Sequence, residues 1–90
     1  LSAATMQIAT ARSEQAVKLR DSGRIDEARK LLEDNAAYLK EQARALAAPA
    51  LEGMAEEQAR DAEAITSGDW TRQRKDMRSR QYKGKTQQSY

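Results

Sequence analysis

From Ile25 to Leu46 the apolar residues fall at Ile25, Ala28, Leu31, Leu32, Ala36, Leu39, Ala43 and Leu46, mostly in steps of three and four. An α-helix turns once every 3.6 residues, so this spacing places all of them on one face for about six turns. A helix of that length with one apolar stripe acts as a spine against which other helices pack. Asp26 and Glu27 stand in its first turn, where exposed amides and the helix dipole favour negative charge, and Pro49 stops it. The spine is expected over residues 25–47.

A weaker stripe precedes it. Ile8, Ala11, Ala16 and Leu19 share a face of a first helix over about 3–21, which ends on Lys18, Arg20 and then Gly23. A glycine there can enter the left-handed region that closes a helix. The link from Ser22 to the spine is so short that the two helices must form an antiparallel hairpin. After Pro49 the pattern resumes at Leu51, Met54, Ala55, Ala59, Ala62 and Ile65, a third helix over about 50–66. Asp69 is suited to cap a fourth, over about 69–80, with Trp70, Arg74 and Met77 on one face. The segments 21–30, DSGRIDEARK, and 66–75, TSGDWTRQRK, match at Ser, Gly, a bulky apolar residue and a closing Arg-Lys, 45 residues apart. The expected fold is therefore all-α, four helices as two antiparallel hairpins within residues 1–77, with Trp70 as the counterpart of Ile25. Residues 78–90, RSRQYKGKTQQSY, have no apolar period and are expected to form a basic, flexible tail.

The core available to these helices is thin. Of the 35 apolar residues 17 are alanine and none is Phe, so the helices must approach closely instead of enclosing a thick centre. With neither Cys nor His, the chain lacks thiol nucleophiles, disulfides, the usual zinc ligands and the commonest general base. Adjacent acids such as Asp26/Glu27, Glu33/Asp34 and Glu56/Glu57 diverge by about 100° on a helix and read as solvated faces supported by Arg and Lys three or four residues away. No catalytic, cofactor-binding or metal-ligating residue is expected. No run of about 18 apolar residues exists, so no membrane span and a cytoplasmic location are expected.

Charge divides the chain. Residues 1–71 carry nine Lys or Arg against 13 Asp or Glu, a net −4, while 72–90 carry seven against Asp76 alone, a net +6. Arg72, Arg74, Lys75, Arg78, Arg80 and Lys83, interleaved with Tyr82, form a candidate partner-binding set. They could meet an acidic protein face, or neutralise phosphates while Tyr82 stacks on a base of single-stranded nucleic acid. Trp70 is either a core anchor or an interface hot spot, and Tyr38 on the spine could face a neighbour. The function expected is protein interaction or self-association, with nucleic-acid binding the alternative.

Two resemblances add to this reading. SGRIDEARKLL, with Gly23, Ile25, Glu27 and Ala28 in matching places, resembles the turn inside a tetratricopeptide repeat, although the second helix is longer than that repeat allows and the spacing is 45, not 34. AVKLRDSGRIDEARKLLEDNAAYLKEQA, followed by an Ala/Glu-rich helix, a Gly-Asp-aromatic turn and a basic end, resembles the helical C-terminal region of bacterial von Willebrand factor A domain proteins of the Ca-activated channel-like group. That resemblance implies an accessory module packed beside a larger domain or another subunit, and it would account for a sequence that starts at Leu1 instead of Met. The metal site of those proteins lies in the A domain, so it assigns no metal ligand here.

Overall fold

A computed structural model describes residues 2–66 and 69–87, with side chains described over 3–66 and 69–83. Four helices account for nearly all of it: α1 (Ser2–Asp21), α2 (Ile25–Leu46), α3 (Pro49–Ala64) and α4 (Trp70–Gln87). No strand occurs among the described residues. The fold is all-α.

Two corners use the same device. At the end of α1 the N–H of Arg24 donates to the Leu19 carbonyl (2.9 Å) and that of Gly23 to Arg20 (3.0 Å), with Gly23 at φ +83°. At the end of α2 the N–H of Ala48 donates to Ala43 (3.0 Å) and that of Ala47 to Arg44 (3.4 Å). Both are Schellman closures, which need a left-handed residue at the first position past the helix. The second places Ala47 there, at φ 49°. Pro49 then opens α3, where its missing N–H costs nothing. Asp69 caps α4 as its sequence position suggested, its Oδ1 accepting from the Arg72 N–H at 3.3 Å.

The helices alternate in direction. α1 pairs with α2, α2 with α3, and α4 returns to lie along α1. Trp70 and Arg74 meet Asp21 at the end of α1, and Gln81 meets Ser13 farther back, so α4 runs antiparallel to α1. The interior has two apolar clusters. One draws on all four helices: Ala16, Val17, Ala28, Leu32, Ala62, Ile65 and Met77. The other, Ala9, Leu39, Ala43, Leu51 and Ala55, comes among the described residues from α1, α2 and α3. Alanine is frequent in both, which lets the backbones approach closely.

Buried polar side chains lie between the clusters, one from each helix: Ser13, Asn35, Gln58 and Gln81. Asn35 Nδ2 donates to the Ala9 carbonyl (3.0 Å) and to Gln58 Oε1 (2.9 Å), while Gln81 Nε2 donates to Ser13 Oγ (2.8 Å). These bonds tie α1 to α2, α2 to α3 and α4 to α1. Buried polar groups need such partners, because burial without them is unfavourable.

Three expectations are revised. Ile8 is 44% exposed and Ala11 lies on the surface; the inner face of α1 is instead Thr5, Ala9, Thr10, Ser13, Ala16 and Val17. On α3 the stripe runs through Gln58 in place of Ala59, which is exposed. The region read as a tail from residue 78 continues as helix through Gln87, since Met77 and Gln81 are buried and Arg80 is held by α3. Residues 67–68, the Ser-Gly pair of the second matched segment, and Tyr90 lie outside the described residues.

Candidate functional site

The cations of α4 divide into two sets. Arg74, at the surface, and the part-buried Arg80 reach across to other helices and fasten α4. Arg74 Nε donates to Asp21 Oδ2 at 2.9 Å and to Oδ1 at 3.2 Å. Arg80 forms a two-pronged pair with Asp61, Nη1 to Oδ2 at 3.0 Å and Nη2 to Oδ1 at 2.9 Å, and it also meets Asp76 at 3.1 Å and Glu57 at 3.9 Å. Such bidentate pairing fixes direction as well as distance. The positive end of the chain is thus partly consumed by the acidic body. Arg72, Lys75, Arg78 and Lys83 remain exposed on α4, and Tyr82 stands among them with 71% of its surface open.

Trp70 is seated, half-buried, against the four-helix cluster. Its Nε1 donates to Asp21 Oδ1 at 3.0 Å, and the Arg20 guanidinium lies 5.2 Å from the ring centre. Arg20 Nε in turn donates to the Ile65 carbonyl at 3.2 Å, so one arginine joins the ends of α1 and α3 to the start of α4. Tyr38 is half-buried on the three-helix cluster, beneath the Arg12 guanidinium at 4.5 Å. The structure brings Trp70, Arg74 and Arg80 into contacts within the chain, places Tyr38 beside the core and leaves Arg72, Lys75, Arg78, Tyr82 and Lys83 on the outer surface.

Proton affinities follow these settings. For Asp61 burial is the largest influence and raises the carboxyl above its ordinary value, against the pull of the Arg80 hydrogen bonds and charge. Burial also works against the Arg80 charge, but Asp61, Asp76 and Glu57 hold the guanidinium above its ordinary value. At Asp21 burial opposes ionisation, yet the hydrogen bonds from Arg74 and Trp70 and the charges of Arg74 and Arg20 together keep the carboxyl below the ordinary value.

Sequence reasoning missed a cleft of about 630 Å³ at the end of the bundle where α1 and α3 begin. It opens between the first half of α3 and the last part of α4, where among the described residues none of α4 joins the cluster. Its lining includes Met6, Met54 and Met77, all the methionines of the chain, together with Thr10, Ser13, Gln58, Arg80 and Gln81. A signal was present: Ser13, Gln58 and Gln81 each lie three or four residues from an apolar stripe position, where a polar side chain must point inward. No family model, curated protein or solved structure matches the chain. Among the described residues no helix is long and apolar enough to cross a membrane.

Proposed function

We propose that this chain is a non-catalytic accessory helical module that mediates protein interaction or self-association, and that the outer face of α4 is the surface it uses. The observation that carries the reading is the division of the α4 cations. Arg74 and Arg80 hold the helix to its neighbours, whereas Arg72, Lys75, Arg78 and Lys83 are exposed along it together with Tyr82. Aromatic and arginine side chains together are the usual material of interface hot spots. An acidic protein face is the matching partner: the parent A domain, another subunit or the acidic body of a second copy.

The sequence resemblance to the helical region after bacterial von Willebrand factor A domains supports placing the module in such a protein; a cytoplasmic location is proposed with it. The tetratricopeptide-like corner at Gly23 supports the helical-hairpin part of that reading. The test is a charge-reversed variant, Arg72→Glu/Lys75→Glu/Arg78→Glu/Lys83→Glu, compared with the parent chain by light scattering at increasing concentration and by titration with an A domain of the named group. Loss of association in the variant is expected at low salt. A chain that stays monomeric and ignores the A domain overturns the reading.

Nucleic-acid binding is the second reading, favoured by Tyr82 standing within the same cations. It requires that a labelled single-stranded oligonucleotide bind at low salt, with affinity falling steeply as salt rises through counterion release, and that Tyr82→Ala weaken it.

A further inference from the structure

We propose that α4 exchanges between two copies of this chain, the α4 of each copy occupying the seat that α1 and α3 form in the other. The contacts involved lie on the inner side of α4, so the inference goes beyond the outer-face reading and does not need it.

The seat recognises α4 by side chain. Trp70 and Arg74 meet Asp21, Gln73 and Arg80 meet Asp61, Gln81 meets Ser13, and Met77 enters the four-helix cluster between them. The receiving polar groups, Ser13, Asp21 and Asp61, all stand on α1 and α3. An empty seat would open the cluster of Ala16, Val17, Ala62 and Ile65 to water beside two carboxylates stripped of their cations. Whatever covers it must offer an apolar side chain between two cations at the spacing of Arg74, Met77 and Arg80, and a second copy carries that segment by identity.

The seat does not depend on its own helix. The cluster of Ala9, Leu39, Ala43, Leu51 and Ala55 is built, among the described residues, from α1, α2 and α3, so these helices hold one another while α4 is away. Docking at home and docking in exchange use the same contacts, and the dimer that results is symmetric. The two arrangements differ in the connection, residues 65–69, and in concentration. A short connection gives the home helix a local concentration of about 1 mM, which a second copy rivals when the chain is concentrated.

Complementary charge reversal tests the exchange in the full chain. Asp21→Arg/Asp61→Arg reverses the seat and Arg74→Asp/Arg80→Asp reverses the helix, so in either chain alone like charges meet. In the mixture, the helix of the first fits the seat of the second with wild-type charges, and the reversed helix meets the reversed seat. Native mass spectrometry is expected to show a heterodimer at least tenfold more abundant than either homodimer, and no such preference overturns the proposal. The wild-type chain gives an independent reading. Copies labelled with ¹³C-methyl methionine, refolded from urea with unlabelled copies at about 1 mM, should show isotope-filtered nuclear Overhauser cross-peaks from Met77 to Ala16 and Val17 of the unlabelled copy. Their absence overturns the exchange. Arg72→Glu/Lys75→Glu/Arg78→Glu/Lys83→Glu, which removes association through the outer face, should retain these cross-peaks; their loss in that variant would assign the joining of copies to the outer face and overturn the proposal.

Discussion

Ala47 and Gly23 are placed alike at the ends of successive helices, yet only one of them is a glycine. A non-glycine residue in the left-handed region meets a clash between Cβ and the carbonyl that glycine avoids. Ala47→Gly is therefore expected to stabilise the chain by about 0.5–1 kcal/mol, and Gly23→Ala to destabilise it by about 1 kcal/mol. Both shifts can be read from urea unfolding midpoints at unchanged slope. Space is not the issue at Gly23, since an added Cβ would meet nothing within 4 Å; the backbone angle alone carries the cost. Asp21 supplies the acid sensitivity. Its carboxyl is held below 3.8 by Arg74, Trp70 and Arg20, so the stability it contributes is present above that pH and is lost as pH falls through the lowered value. Asp61 acts with the opposite sign, its raised affinity making the folded state take up a proton first. Asp21→Asn should thus flatten the loss of stability below about pH 4, measured as melting temperature against pH.

At the scale of elements, α4 shows how far a hydropathy pattern reaches. The spine α2 was legible because Leu32, Leu39 and their neighbours are apolar and buried in the same rhythm. α4 was legible only to about residue 80, because inward positions such as Gln73, Arg80 and Gln81 are residues that read as solvent-facing. Their seats are provided by other elements: Gln73 Nε2 donates to the Asp61 carbonyl at 3.0 Å, and Arg80 is held by the Asp61 side chain. Only the fold supplies those partners. The same reasoning explains the cleft, which depends on where α4 parts from α3, a relation between elements distant in sequence. Arg80→Ala should destabilise the chain by about 2 kcal/mol, since it leaves Asp61 buried and uncompensated, discounted for the partial exposure of the pair. Arg80→Ala combined with Asp61→Ala should recover part of that loss, and a double-mutant cycle in urea measures the coupling.

Across the whole molecule, the junction at Trp70 joins three helices through one indole and two arginines. Trp70→Ala removes a half-buried ring from the four-helix cluster together with its hydrogen bond to Asp21, and about 2 kcal/mol of stability should go with it. A 90-residue chain would show this as a fall in melting temperature of roughly 10 °C. The matched segments around Gly23 and Trp70 made a seat for the tryptophan legible, whereas its partners Arg20 and Asp21 were not, because they lie 49 or more residues earlier in the sequence and only the return of α4 to α1 brings them close. The cluster built from α1, α2 and α3 has no stake in that return. Detachment of the last helix would leave Leu39, Leu51 and their alanines packed as before, so native-state hydrogen exchange should find two opening energies: a lower one for the amides of α4, and one near the global value for the middle of α2.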